Sequence, residues 1–462
     1  MFPTAHMENI GGQEMALPVV DLQAKADAEV PRPPAFTASR AIRWLPVAFV
    51  VLPVWLMLAG WAKQGLDFSV YWFGGSILNE AGASPSDLYA PTVAWAGGPQ
   101  LPFTYPPFAA LVFGLLALWP QPAALMLFNV AGVAVAAWVA ATIVKYWASK
   151  SDWRAALAPG RSRWFVAALF LAVLFLGPWR ETLAFGQINI LLMGLMAVDL
   201  LGVGSRGRGL QSSGFLVGIA AGIKLTPLVF GLYFLMRKDW RGLANMAMGF
   251  IGTVLLGWLL RPAESIQFWL EILPDTSRIG GAGYVDNLSI KGALLHFGVP
   301  QDSVTLPWLA LSLATVVVAA FLIRSASAQG ARVIAMSATA LTMLLISPVS
   351  WSHHWVWMAV VLPAFAWTIK ETPSRYMAQR ILMGAVLAVS AFVFFSSPKT
   401  IGTALGAEDL NVQTPGLWIM ASSAGVFCAV AILVCWLVAL RRDTVLPDGV
   451  PDRLRRWAMT AR

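Results

Sequence analysis

The chain has 462 residues, 58% of them hydrophobic and only 12% charged, whereas soluble domains carry about 25% charged residues. That deficit, together with repeated apolar runs, excludes an ordinary soluble enzyme and points to an all-α polytopic membrane protein. The net charge of +9 does not argue for nucleic acid, because the basic residues cluster in the loops between apolar runs in the pattern of the positive-inside rule.

Residues 1–40 are polar, with Pro31, Pro33 and Pro34 near their end. They read as a disordered cytoplasmic leader without the short apolar core of a cleavable signal peptide. Apolar runs follow at 43–62, 107–119, 122–146, 164–178, 189–203, 213–236, 243–260, 306–323, 333–348, 355–370, 381–396 and 416–439. Arg40 and Arg43 precede the first run, so the N-terminus is expected inside. Five basic loops are expected on the same side: Lys145 to Arg163, Arg206–Arg208, Arg237–Arg241, Arg324–Arg332 and Lys370–Arg380. Residues 441–462 then form a basic cytoplasmic tail.

Two runs do not fit simple crossings. Run 107–119 has 13 residues, about 20 Å as a helix against a hydrocarbon core of about 30 Å, and is expected to be interfacial or re-entrant on the outer side. Run 213–236 has basic loops at both ends and Lys224-Leu-Thr-Pro227 at its centre. Proline breaks a helix there, so the run is expected to be two short helices with the lysine at their apex. The count comes to about 12 membrane helices with both termini inside. Residues 41–440 form one membrane domain with no internal repeat. Its outer segments are 63–106, 179–188, 261–305, 349–354 and 397–415. Cys428 and Cys435 lie seven apart on one helix, about 10 Å in rise, too far for a mutual disulfide.

The outer segments hold the polar residues that suit chemistry. Asp67 follows the first run in DFSVYW. It is either a solvated loop residue or, packed among Phe68, Val70, Tyr71, Trp72 and Phe73, a carboxylate whose raised pKa suits a general base. Tyr105 stands in LPFTYPPF, whose prolines fix the backbone; a plain helix start explains Pro107 but not the whole string. Arg180 and Glu181 open a loop that ends in Gly186-Gln187-Ile188-Asn189. They form either a surface pair and a turn, or an Arg for phosphate with amides for sugar hydroxyls. Lys224 either snorkels to the interface or, mid-span beside Thr226 and Pro227, faces a phosphate. His353 and His354 stand together in SPVSWSHHWVW, where hydrogen bonding to a phosphate or sugar is favoured. No cysteine or acid near them in sequence completes a ligand set, so no metal site is expected. Asn287, in DNLSIKG, lies in an outer loop that could close as a lid. Trp179, Trp351, Trp355 and Trp357 flank these motifs and read either as interface residues or as sugar- or lipid-lining rings.

Taken together, DFSVYW, LPFTYPPFAAL, GQINILLMGLMAVD, AGIKLTPLVFGLYFL, DNLSIKG and SPVSWSHHWVW resemble the integral-membrane glycosyltransferases of family 87. More narrowly they are similar to actinobacterial α-1,2-mannosyltransferases of the phosphatidylinositol-mannoside type. The resemblance implies a GT-C fold with an outer-facing cavity in the plasma membrane. It implies an inverting, metal-independent transfer of mannose from polyprenyl-phosphate-mannose to a phosphatidylinositol mannoside or lipoglycan acceptor. Asp67 would be the catalytic base. Arg180, Lys224, His353, His354 and Tyr105 would hold the donor phosphate and sugar, and Gln187, Asn189, Asn287, Tyr71 and Trp351 the acceptor. The lipid-linked donor is a substrate, and no cofactor is expected. The paired histidines favour mannose over arabinofuranose; a polyprenyl-phosphate or glycolipid transporter is the alternative of a different class.

Overall fold

A computed structural model describes residues 47, 51, 54, 55, 65–80, 85–93, 100–148, 159–201, 214–275, 278, 280–407 and 416–441. The expected leader, most of the first apolar run, the Arg206–Arg208 loop and the tail after 441 lie outside the described residues. Residues 50–462 form one compact unit, described here; of the unit 1–49 only Val47 is described.

Five described helices are long and apolar enough to cross a bilayer: Gln121–Ala148, Trp240–Leu260, Thr305–Ala328, Ser374–Ser396 and Trp418–Leu440. A sixth arises if Arg161–Phe175 and Gly177–Phe185, bent by 66°, count as one span. The chain is thus an all-α polytopic membrane protein. Leu255, Leu259, Leu306, Leu313, Phe321, Ile381 and Phe392 point away from the protein on these helices, as side chains do when lipid replaces the missing core. Helices Arg332–Ile346 and Met358–Glu371 have the opposite character. They are shorter, and every residue from Ile334 to Leu345 is buried, so they form the interior against which the outer helices pack.

The first outer segment is more ordered than a loop. Asp67 sits in the first turn of a helix, Leu66–Asn79, that begins at Gly65 in the left-handed conformation. A small antiparallel pair, Pro91–Val93 with Gln100–Pro102, leads into Tyr105 and the helix Pro107–Leu116. That helix has 10 residues, about 15 Å, too short to cross. It packs on Leu66–Asn79, with Tyr71 and Phe113 stacked at 4.4 Å.

Segment 179–188 is not the expected loop. Gly177–Phe185 is helical, with Pro178 in its first turn and Gly186 as a left-handed C-cap at φ 66°. Both signals suit a short helix. A side chain at 186 would also collide with the Cβ of Phe68 at 2.5 Å, so glycine is required twice over.

The broken run is as expected. Helix Phe215–Ile223 ends where Lys224 turns extended, at φ −145° and ψ 126°. A 3-10 turn, Thr226–Phe230, and helix Gly231–Met236 follow. Small residues position the break: Gly218 and Gly222 lie against Met246, Gly249 and Thr253 of the neighbouring helix with no room for a Cβ, the close backbone approach of small-residue helix pairs. Asp199 caps the entry, one oxygen accepting from the amides of Gly214, Leu216 and Val217 at 2.8, 2.9 and 3.1 Å.

Candidate active site

Four segments far apart in sequence meet around Asp67. The amide of Gly65 donates to the carbonyl of Ala184 at 2.8 Å, tying the start of the Asp67 helix to the end of helix Gly177–Phe185. Ser69 Oγ donates back to the Gly65 carbonyl at 2.9 Å and itself accepts from Gln121 at 2.8 Å. The first turn carrying Asp67 is thereby held from both sides.

Gln187 is the hub. Its amide is fixed by a bond to the Thr182 carbonyl at 2.8 Å. Its side chain faces Asp67 and opposes the rise of the carboxylate's pKa, while Oε1 accepts from Tyr71 at 2.6 Å. Tyr71 and Tyr105 hydroxyls lie 2.9 Å apart. Asn189 Nδ2 lies 3.5 Å from Gln187 Oε1, and its Oδ1 accepts from Lys224 Nζ at 3.0 Å. Lys224 Nζ also sits 3.2 Å from His354 Nε2 and 5.7 Å from the Tyr105 ring centroid. A polar network therefore runs from Tyr71 through Gln187 and Asn189 to Lys224 and His354, with Asp67 beside its Gln187 end.

The electrostatics divide the network into a base end and a cationic end. Asp67 is half-buried. Desolvation among Phe68, Tyr71 and their neighbours raises its pKa to about 6, with Gln187 and the Lys224 charge opposing the rise. An ammonium has no lone pair to accept with, so the Lys224–His354 contact makes Nε2 the acceptor and leaves the proton on Nδ1. Burial first, then the Lys224 charge, holds His354 well below the usual imidazole range, consistent with a neutral ring.

Lys224, Asn189 and His354 line a cleft with about 430 Å³ of empty space, part of it open to solvent, whose walls combine Thr226, Ser347 and Ser350 with apolar Met193, Met196, Met343 and Trp357. Asp67 does not line this cavity; it stands beyond Gln187 and Asn189.

The remaining expected residues lie elsewhere. Arg180 donates to the Phe395 carbonyl at 2.9 Å and is not in the network. Asn287 is fully buried and spends both amide groups on backbone: it donates to Ala282 and Pro348 at 2.7 and 3.1 Å and accepts from Ser350 at 2.9 Å. The Asp286–Ser289 stretch is thus clamped, with Leu288 bonded to the Ser350 carbonyl at 2.8 Å, and is no lid. Trp351 pairs edge-on with Tyr284 at 5.6 Å. Trp179 and Trp355 are packed in the core, and of the four tryptophans only Trp357 touches the cavity. His353 makes no bond to Lys224: its ring is buried, perpendicular to His354 at 4.7 Å, and its carbonyl accepts from Thr182 and Asn189 at 2.8 and 3.2 Å. Beside it lie Glu181 and Asp286, all three ligand atoms within 4.8 Å of one another. The acids missing from the neighbourhood of the histidines in sequence are therefore supplied in space.

Comparisons with known proteins identify relatives of the chain. The model of glycosyltransferase family 87 matches residues 103–348. A protein of Mycolicibacterium smegmatis named polyprenol-phosphate-mannose-dependent alpha-(1-2)-phosphatidylinositol mannoside mannosyltransferase is 34% identical over 86% of this chain and 89% of its own length. Its namesake from Mycobacterium tuberculosis is 33% identical over 74% of this chain and 80% of its own. A Mycolicibacterium smegmatis protein named for phosphatidylinositol pentamannoside is 32% identical over 78% and 83%. No solved structure matches the chain.

Proposed function

Because the chain belongs to glycosyltransferase family 87, we propose that it transfers mannose from polyprenyl-phosphate-mannose to a mannose hydroxyl of a phosphatidylinositol mannoside, forming an α-1,2 bond with Asp67 as general base. The polar network that sets a carboxylate of raised pKa near a half-buried lysine carries this reading. A displacement at the anomeric carbon needs a base on the incoming hydroxyl and positive charge on the departing phosphate, and the two ends of the network supply them.

In this account the acceptor oxygen bonds to C1 of mannose as the bond from C1 to the phosphate oxygen breaks. The hydroxyl proton passes to Asp67, and the polyprenyl phosphate leaves with the bonding pair. Lys224 neutralises the growing phosphate charge while His354 Nδ1 donates to its oxygens or to the sugar, and the Tyr105 hydroxyl, whose proton goes to Tyr71, accepts from a sugar hydroxyl. Gln187 orients Asp67, and Asn189 orients Lys224. The methionine-lined part of the cavity accepts the first isoprene units. One attack on C1 inverts its configuration, so a β-linked donor gives the α product. The leaving group is a single phosphate, which one ammonium and neutral donors can stabilise without a metal bound to it. Arg180, Asn287 and Trp351 hold the surrounding segments, and Tyr71 braces Gln187.

The architecture proposed around this site is GT-C-like. In this reading the short apolar helices add to the long spans to give about 12 membrane segments, and the positive-inside pattern of the loops supports a site on the extracytoplasmic face of the plasma membrane. Purified protein in liposomes given labelled polyprenyl-phosphate-mannose and phosphatidylinositol mannoside tests the reading. The expected product is an acceptor lipid one mannose larger. Labelled polyprenyl-phosphate-arabinofuranose serving better, or donor crossing the vesicle with no new glycosidic bond, would overturn it.

A further inference from the structure

Next to His354, through the edge-on pair with His353, the described residues hold a second polar cluster that the transfer reaction does not use. Glu181 comes from helix Gly177–Phe185, Asp286 from the clamped loop, and His353 from the 3-10 turn Ser352–Trp357. Asp286 is 4% exposed and His353 6% exposed. Neither ring nitrogen of His353 has a hydrogen-bond partner, nor has Oδ1 of Asp286. Buried polar atoms in such number are almost always satisfied, so a partner is missing.

The bonds that are made do not satisfy the acids. Ser352 Oγ contacts Glu181 Oε2 and also lies 3.0 Å from Asp286 Oδ2. A hydroxyl has one proton and cannot donate to both. Ser397 serves the other Glu181 oxygen at 2.6 Å, and the Ser352 amide donates to Asp286. Lys399 is the nearby cation: its charge reaches Asp286 and His353, while its ammonium lies 5.2 Å from the Tyr284 ring centroid. Two carboxylates and an imidazole with a free lone pair remain turned toward one point.

From this convergence we propose that Glu181, Asp286 and His353 bind a divalent cation of the Zn²⁺ or Mn²⁺ class. One nitrogen and two carboxylate oxygens suit those ions, whereas Mg²⁺ and Ca²⁺ favour oxygen alone. An ion with bonds of about 2.1 Å keeps ligand atoms within about 4.2 Å of each other. The present spread, up to 4.8 Å, closes by a sub-ångström shift of side chains that are already in place. The ion staples three segments. Through the perpendicular His353–His354 pair it fixes the ring that meets Lys224. It sits behind the reacting phosphate and takes no part in the displacement.

Metal content of the purified full-length protein in detergent tests this directly. After incubation with Zn²⁺, Mn²⁺ or Mg²⁺ and desalting, the wild type should retain about one Zn²⁺ or Mn²⁺ per chain and no Mg²⁺, with a higher apparent Tm in the loaded form. Asp286→Asn and His353→Gln should each lose most of that metal, and His296→Asn should keep it. Co²⁺ loading should give a visible absorption band that Glu181→Gln weakens. A monodisperse wild-type protein that retains no cation and gains no Tm overturns the proposal and leaves a proton shared between the acids, with Lys399, as the occupant. Undiminished metal in the Asp286→Asn, His353→Gln double variant overturns it equally. The wild-type measurement decides even if a variant fails to fold.

Discussion

At Lys224 one ammonium is placed by two acceptors from different segments, Asn189 at 3.0 Å and His354 at 3.2 Å. Removing that charge while keeping the stem should leave the fold intact, since methionine fills similar space. Lys224→Met should lower kcat/KM for the lipid-linked donor by about 100- to 1000-fold, the loss typical of one charge-stabilising donor, with Tm little changed. Radiolabel transfer in detergent reads it. Sequence alone drew attention to Lys224, because an ionisable residue inside an apolar run is rarely idle. Gln187 was legible as a polar residue after a glycine, but not as the hub, because that depends on Tyr71 lying within 2.6 Å from another helix. Arg180 and Asn287 show the opposite failure. Both have the right chemistry for phosphate or sugar, yet backbone carbonyls take up their donors.

Among the elements, the break at Lys224-Leu-Thr-Pro227 followed from proline's missing N–H. The helix Gly177–Phe185 was masked by the polar pair Arg180–Glu181, although Pro178 and Gly186 mark its two ends. Nothing local reveals that Asp199 caps the lysine helix, because its partners lie across a segment at 214–217. Asp199→Ala should free three helix amides and cost about 1–2 kcal/mol. A drop of a few degrees in apparent Tm, with KM for the donor rising as Lys224 loosens, is the expected outcome. An unchanged Tm would show that water or a neighbour caps the helix as well.

On the scale of the whole molecule, length and hydropathy made the membrane class evident, and the proposed orientation rests on the loop charges. What sequence alone leaves out is the meeting of distant segments, such as Glu181, Asp286 and His353. The orientation is open to a direct check with Cys428 and Cys435 first replaced by serine. A membrane-impermeant thiol reagent should label Glu80→Cys in intact cells and Arg375→Cys only after permeabilisation; the reverse pattern would turn the site to the cytoplasm. The central claim is that Asp67 takes the proton from the acceptor hydroxyl. Burial lifts its pKa to about 6 and the working form is the carboxylate, so activity should rise with pH through about 6 and fall below it. The decisive measurement is the pH profile of mannose transfer by the wild type and Asp67→Asn in liposomes. The account predicts an acidic limb near pH 6 in the wild type and a loss of at least about 100-fold in a folded Asp67→Asn at every pH. Full activity of Asp67→Asn with the same limb would contradict it.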